Sequence, residues 1–310
     1  MKNKTVRIGT RGSQLALYQA HAVKEALEST YPDLPVEIKI IHTKGDKILD
    51  VALSKIGDKG LFTKEIEMAM VAGEVDLAVH SLKDLPTTLP EGLKLAAVLE
   101  RAEYRDALVS REGKKLDELT TEDVLATSSL RRRASLLKYN PDFQIIDIRG
   151  NVNTRLRKME EGYCDVMIMA AAGLQRIGLD DYITEILEPN QLMPPPSQGI
   201  IAIETKEDDA WINELMAGIN HQETWLAAQA ERAFLRTLEG GCQVPIGCYT
   251  RRENGQMTIT GFVSSVDGTE YLEDSLAGSE ADGEQLGIRL ATTLIEKGGK
   301  EILQNIRPVE

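Results

Sequence analysis

Five short stretches of the chain hold side chains able to bind ions, move protons or attack an electrophile. His80-Ser81-Leu82-Lys83-Asp84-Leu85-Pro86 follows the apolar run Val75–Val79 directly. A carboxylate and an ammonium on one strand-end turn suit a substrate carrying both an acid and an amine. Lys83 would bind the carboxylate, and Asp84 would stabilise a cation or pass a proton. Surface decoration is the other reading of this pair, and His80 reads as a hydrogen-bonded structural histidine. Three further stretches are Gly9-Thr10-Arg11-Gly12-Ser13, Thr127-Ser128-Ser129 ahead of Arg131 and Arg132, and Arg149-Gly150-Asn151-Val152-Asn153-Thr154-Arg155. Each joins a strand end, a small residue, an arginine and a helix start. Free backbone N–H groups and hydroxyls cradle carboxylates or phosphates at such places, and guanidiniums add planar two-point contacts. Three of them predict a crevice at the carboxyl ends of strands. None is a Walker A or a GxGxxG sequence, so neither ATP nor NAD is implied. The fifth stretch, Leu238-Glu239-Gly240-Gly241-Cys242-Gln243-Val244-Pro245-Ile246-Gly247, sets Cys242 behind two glycines. Its thiolate would serve as nucleophile or covalent anchor if positive surroundings lowered its pKa. An inert buried thiol is the alternative, and nothing supports a cysteine protease.

Charge is segregated along the chain. Residues 127–157 hold seven basic side chains (Arg131, Arg132, Arg133, Lys138, Arg149, Arg155, Arg157) against two acidic ones, a local +5 in a chain of net charge -13. Residues 202–231 reverse this, with one lysine and seven acids. Such separation suits a local anion-attracting cleft on an acidic exterior. Arg131–Arg133 alone also read as a solvated helix face. Neighbouring helix positions diverge by about 100°, so three consecutive arginines can hardly serve one site.

The elements that must position these groups alternate in type. Strands are expected at Val6–Gly9, Val36–Ile41, Val75–His80 and Leu93–Leu99, with a helix capped by Ser13 that aligns Ala16, Ala20, Val23 and Leu27. A helix over Thr63–Ala72 completes this unit. The polar stretch Thr43–Gly60 is long for a loop and reads as a lid, with Lys55 and Lys59 as its cations. A second unit repeats the scheme, with strands Ala107–Val109, Val124–Ala126, Phe143–Ile148 and Val166–Met169 and helices Ser129–Tyr139 and Val152–Glu161. Pro194–Pro196 breaks regular structure, and Gly199–Glu204 reads as a buried strand returning to the first unit. The last third departs from this alternation. A helix over His221–Leu238 precedes an antiparallel hairpin around Asp267–Gly268 and a helix over residues 282–297.

Composition bounds the class. With 310 residues, 42% hydrophobic, 27% charged, 25 Gly and 11 Pro, the chain is neither collagen-like nor largely disordered. Its acidity disfavours general nucleic-acid or anionic-membrane binding, and aromatics at 5% offer no stacking surface for single strands. No run approaches the ~20 apolar residues of a membrane span. Cys164, Cys242 and Cys248 lack metal or redox spacing, and the four histidines are dispersed, so no metal site is expected. A reducing, cytoplasmic setting is the expectation.

Taken in order, these motifs resemble the porphobilinogen deaminase family over nearly the whole chain. The resemblance also uses Ile8–Ala16, Gly60-Leu61-Phe62-Thr63-Lys64-Glu65, Ala172-Gly173-Leu174-Gln175-Arg176 and Pro195-Pro196-Ser197-Gln198-Gly199. It implies two periplasmic-binding-protein-like α/β lobes, the first discontinuous (1–99 and 200–217), the second at 105–193, and a small C-terminal α+β domain at 222–310. It implies a dipyrromethane cofactor joined to Cys242 by a thioether, with Lys83, Asp84, Ser129, Arg131 and Arg132 as cofactor contacts. Arg11, Ser13, Arg149, Arg155, Arg176 and Gln198 are the implied substrate contacts. Asp84 is the implied catalytic group, stabilising the electron-poor pyrrole formed as porphobilinogen loses ammonia. Four porphobilinogen molecules would be joined head to tail and released as hydroxymethylbilane by a monomer without metal, membrane or nucleic-acid partner. Ala126, where glycine is common, and Glu103-Tyr104-Arg105, in place of Asp-Pro-Arg, depart from the family pattern, and loss of the proline is expected to soften the crossover. A non-catalytic module for a polycarboxylate is the competing reading; it needs the arginines but leaves Cys242 beside Asp84 unexplained.

Overall fold

The computed structural model describes residues 4–47, 62–239 and 244–306. Lys55, Lys59 and most of the expected lid lie outside the described residues, as does Cys242. The described chain falls into two compact units, one built from residues 4–47, 62–102 and 199–225, the other from 103–198, 226–239 and 244–306.

In the first unit, β1 (Val6–Thr10), α1 (Gln14–Thr30) and β2 (Val36–Ile40) form a parallel βαβ start. A short helix α2 (Lys44–Lys47) and then α3 (Lys64–Val71) lead to β3 (Leu77–Ser81) and β4 (Leu93–Val98). β3 pairs parallel with β1, and its alternation feeds two cores. Leu77 and Val79 join Val6, Ile8 and the α1 residues Ala20, Val23 and Leu27, whereas Ala78 joins Ile66 and Met70 of α3. The expected α1 stripe is thus the buried one. Arg7 donates through Nε and Nη2 to Asp76 at 2.9 and 2.8 Å, tying the entry of β1 to the entry of β3.

The second unit contains β5 (Asp106–Ser110), β6 (Val124–Ala126), α4 (Leu130–Tyr139), β7 (Gln144–Ile146), α5 (Val152–Glu160), β8 (Val166–Ala170), α6 (Ala171–Gln175) and β9 (Glu185–Ile186). Its sheet order is β7-β6-β8-β5-β9, with β6 parallel to β7 and β8, and β5 antiparallel to β8 and β9. α4 contributes Leu136 to one face of this sheet, and α5 contributes Leu156 and Met159 to the other.

Beyond Pro194–Pro196 the chain re-enters the first sheet as β10 (Ile201–Lys206), antiparallel to both β3 and β4, giving the order β2-β1-β3-β10-β4. The outgoing and returning segments bond directly, Ala102 N–H to the Gly199 carbonyl and Leu99 N–H to that of Ile201, both at 3.1 Å. The two sheets therefore share one plan, three parallel-paired strands plus an antiparallel crossover strand, although no sequence repeat announces it.

Helix α7 (Ala210–Ile219) and then α8 (Gln222–Thr237) follow. The C-terminal sheet has order β11-β12-β13, from Ile246–Glu253, Gln256–Ser264 and Tyr271–Ser279. α7 and β11 are not among the elements expected from sequence. The expected C-terminal helix is α9 (Gly283–Leu294), one wide turn over Ile295–Gly299, and α10 (Lys300–Ile306). Gly298 sits at φ 105° there, a conformation that interrupts helix and suits glycine. Phe234 of α8, Leu286 and Leu290 of α9 and Ile259 of β12 share the buried core.

A Cβ on Gly287 would stand 2.1 Å from the Ala230 carbonyl oxygen, so only glycine lets α9 lie this close to α8. Gly287→Ala is expected to cost about 1–3 kcal/mol, the usual range for overpacking. A lower urea midpoint at constant m would register this; an unchanged midpoint would contradict the close crossing.

Candidate active site

In the first unit the functional side chains gather at the carboxyl ends of β1 and β3. Beyond Thr10, Arg11 is half-buried with its guanidinium 4.2 Å from the Phe62 ring centroid, a cation–π contact. Ser13 is the N-cap of α1, its Oγ accepting from the Ala16 N–H at 3.3 Å. Gln19 of α1 donates to Ser81 Oγ at 2.7 Å, so the start of α1 abuts the end of β3. There the chain makes a single 3₁₀ turn over Leu82–Asp84, with Leu82 buried, Lys83 half-buried and Asp84 exposed. The Leu82 N–H donates to the Ile200 carbonyl at 3.0 Å, and the Leu85 N–H closes the turn on Leu82.

His80 has the partner expected of a structural histidine. Its Nε2 lies 3.0 Å from Glu204 Oε2, both side chains buried. Glu204 is thereby explained as the one acid in an apolar strand, although its Oε1 has no hydrogen-bond partner. Glu67 of α3 is buried as well. Burial is the largest influence on its carboxyl and, with a smaller contribution from the charge of Glu204, pushes it above the usual value.

The second unit collects the cations, again at carboxyl ends of parallel strands. After β6, Ser129 caps α4, its Oγ accepting from the Arg132 N–H at 3.4 Å. Ser128 Oγ both donates to and accepts from the Ile148 backbone, at 2.9 and 3.0 Å, fixing the strand end ahead of Arg149. Asn151 caps α5 through the Thr154 N–H at 2.9 Å, and Arg155 Nε donates to the Gly150 carbonyl at 2.8 Å. Gly150 has φ 121°, and a Cβ there would meet Thr154 at 2.6 Å, so the turn requires glycine. Arg149 has its Nη1 buried without a partner, and Arg176 follows α6, half-buried.

Arg131 and Arg132 are not a solvated face. They are 4% and 8% exposed, and both reach Asp106, which is fully buried. Arg131 Nη2 donates to Asp106 Oδ2 at 2.6 Å, while Arg132 grips both oxygens, Nη2 to Oδ1 at 2.7 Å and Nε to Oδ2 at 3.2 Å. Side-chain length overcomes the angular separation for two of the three arginines. Arg133 turns elsewhere, to the Ile145 carbonyl at 3.3 Å. Burial alone would raise the Asp106 carboxyl; the charges of Arg131 and Arg132 overcome it and hold the group well below the usual carboxylate range. Gln198, fully buried, donates from Nε2 to Asp106 Oδ1 and to the Tyr104 carbonyl, each at 2.9 Å.

Asp106 escaped the sequence reading, which began its strand at Ala107. An acid opening a strand of Ala-Leu-Val is the signal that could have found it, since a buried carboxylate demands cationic partners. At the crossover, Tyr104 stacks on Tyr249 with centroids 5.8 Å apart, and Arg105 pairs with Glu103 and Glu188. This stack and these ion pairs hold the Glu103-Tyr104-Arg105 segment. Among the described residues, no group of acids, histidines and cysteines could hold a metal ion, and no helix is long and apolar enough to cross a membrane.

Two α/β sheets with arginines and helix caps at their strand ends define a class: an α/β protein whose cationic side chains gather at the carboxyl ends of its strands. Comparison with known proteins makes that class specific. A family model described as "Porphobilinogen deaminase, dipyromethane cofactor binding domain" matches residues 6–214, and one described as "Porphobilinogen deaminase, C-terminal domain" matches residues 225–296. The chain is 51% identical to the porphobilinogen deaminase of Syntrophomonas wolfei over 98% of its own length and 99% of that protein's. It is 49% identical to that of Desulforamulus reducens over the full length of both. Among solved structures, the periplasmic VFT2 domain of Bordetella pertussis BvgS aligns with 69% of this chain and 86% of its own at 14% identity and a TM-score of 0.42. The chain belongs to the porphobilinogen deaminase family, enzymes of tetrapyrrole biosynthesis, and carries that family's dipyrromethane cofactor-binding domain.

The displaced carboxyl of Glu67 sets a stability signature. A group whose pKa is higher folded than unfolded favours the fold below its unfolded value and loses that contribution as pH rises through the folded one. Glu67→Gln should therefore gain on the parent protein as pH climbs above 4.5, the ordinary value of the group, and run parallel to it below. Urea midpoints across pH 4 to 8 would show this; a constant difference would mean Glu67 titrates normally.

Proposed function

We propose that the chain condenses four porphobilinogen molecules head to tail, with release of four ammonia, and then hydrolyses the product free as hydroxymethylbilane. The observation that carries this reading is the excess of guanidinium over carboxylate at the strand ends of the second unit. Porphobilinogen bears an acetate and a propionate, so a growing chain accumulates negative charge. Arg131, Arg132, Arg149, Arg155 and Arg176, with the Ser129 cap, answer that charge as hydrogen-bonding cations. Arg11, the Ser13 cap and Lys83 do the same in the first unit, and Gln198 supports the site through Asp106.

The residues present fit a dipyrromethane. It too carries carboxylates, and two arginines hold buried N–H donors, Arg131 Nε and Arg149 Nη1, with no protein partner. Arg131, Arg132, Ser129 and Lys83 would hold its acidic side chains, and Cys242 would anchor it through a thioether. When bound, the group supplies an electron-rich pyrrole carbon as primer. Asp84 supplies the opposite charge. Its carboxylate, on a turn pinned by Leu82 and Leu85, stabilises the positive charge that spreads over a pyrrole as ammonia leaves, and takes or returns the proton. Exposure keeps Asp84 reachable by substrate. A pure polycarboxylate binder would have no use for that carboxylate among its cations.

We also propose a monomer of three domains, 1–99 with 200–217, 105–193 and 222–310, working in the cytoplasm. Cys164 and Cys248 are buried thiols, and burial pushes that of Cys164 up to about 11, consistent with an inert reduced group.

Asp84→Ala should retain the fold and lose at least ~100-fold in turnover at saturating porphobilinogen, in the range of a general acid–base contribution; near-normal turnover would remove Asp84 from its role. Intact-mass measurement should find two pyrrole units on the chain, absent from Cys242→Ser. An active chain that never carries added mass would refute the anchor.

A further inference from the structure

Asp106 is the hub of a buried ionic cluster to which the reaction assigns nothing. It opens β5 and is fully buried, and each of its oxygens takes two donors. Oδ2 accepts from Arg131 Nη2 and Arg132 Nε; Oδ1 accepts from Arg132 Nη2 and Gln198 Nε2. The guanidiniums are pinned again from behind, Arg131 Nη1 by the Met193 carbonyl and Arg132 Nη1 by the Ile168 carbonyl at 2.9 Å. Gln198 is itself fixed to the Tyr104 carbonyl. Backbone from β8, from the segment before the Pro-Pro turn and from the crossover thus holds three side chains around Asp106.

Two features set this cluster apart from an ordinary buried ion pair. Pairs that serve only the fold tend to neutralise their charge and fill their donors, because a buried charge or N–H left alone is costly. Here two guanidiniums share one carboxylate, and no second carboxylate is hydrogen-bonded to either among the described residues. The cluster keeps one positive charge in excess, and Arg131 Nε is buried without a partner.

We propose that Asp106 is a positioning residue: it locks Arg131 and Arg132 into a single rigid fork of net charge +1 that is already in place when a pyrrole carboxylate arrives. Two unshared guanidiniums side by side repel and each samples several rotamers, so an incoming anion would have to order both. A shared carboxylate removes that ordering at the expense of half the local charge. Charge and geometry therefore predict opposite signs for its removal, which makes the proposal decidable. The identity of the ligand rests on the porphobilinogen deaminase reading; the locked fork does not.

The test compares the full-length parent chain with Asp106→Asn, which keeps the side chain's shape. Loaded cofactor is read by intact mass, and kcat and KM for porphobilinogen are expressed per loaded molecule. Positioning predicts a KM at least tenfold higher, or a loaded fraction at least tenfold lower, even among folded molecules. A lower KM would make Asp106 only a charge neutraliser, and an unchanged KM with a lower melting temperature would make it only structural; either overturns the proposal. Should the variant not accumulate folded, nitrogen-resolved NMR of the parent chain decides: two guanidiniums with separate, slowly rotating Nη–H signals are expected before ligand is added, and rotationally averaged signals would overturn the fork. A parent chain that consumes no porphobilinogen yet shows those signals would sink the enzyme reading and leave the fork standing.

Discussion

A positive charge kept in the interior is the constraint around which this molecule is arranged. Two guanidiniums and one carboxylate lie almost wholly out of water in a chain whose net charge is -13. Desolvating such groups costs several kcal/mol per ion, which only close geometry and further hydrogen bonds offset. Asp106, Gln198 and the carbonyls of Ile168 and Met193 supply both. Removing a partner from a cluster of this kind leaves a buried charge bare, so four separated pieces of sequence must fold together or not at all.

Topology explains how those pieces meet. In each sheet the parallel strands point their carboxyl ends the same way, and the crossover strand enters antiparallel, so that its first residue lies beside their last. Asp106 opens β5 opposite Ala170, the final residue of β8, and Ile201 opens β10 opposite Ser81, the final residue of β3. A crossover therefore delivers side chains to the end of the sheet where helix starts and loops already collect cationic and hydroxyl groups. Asp106 and Gln198 reach the arginines by this route, and the Ile200 carbonyl reaches the Lys83-Asp84 turn by it too. Parallel crossovers would have put the same residues at the opposite end.

The elements were legible in the sequence where one periodicity decided them. The α1 stripe, the Ser13 cap, strand Val124–Ala126 and the hairpin about Gly268 all follow from local pattern. The motifs by themselves place Lys83, Asp84 and the arginines at strand ends. What stayed illegible was long-range pairing of charges. Nothing near Asp106 in sequence reveals that Arg131, Arg132 and Gln198, up to 92 residues away, will share it. Likewise Glu204 looks like an interruption of an apolar strand until His80, 124 residues distant, is set against it. The wide turn at Ile295–Gly299 was hidden for another reason: amphipathic spacing continues across it, and only the Gly298-Gly299 pair hints that the helix stops.

Each unit also buries a local cluster of charged groups, and the two clusters differ in composition. Beneath the Asp84 turn, the first unit hides two carboxyls, Glu204 and Glu67, against one imidazole. Around the start of α4, the second unit hides two guanidiniums against one carboxylate. Buried groups act through a medium that screens them less than water does, so each set tilts the potential at its own strand ends. Porphobilinogen is acidic at its side chains and becomes cationic at its ring when ammonia departs. A single uniformly basic surface would bind the acid side chains well while raising the barrier to that cation. The buried acid on the returning strand β10 is answered within its own sheet by His80, which offsets part of the cost of placing it where an aliphatic residue would pack.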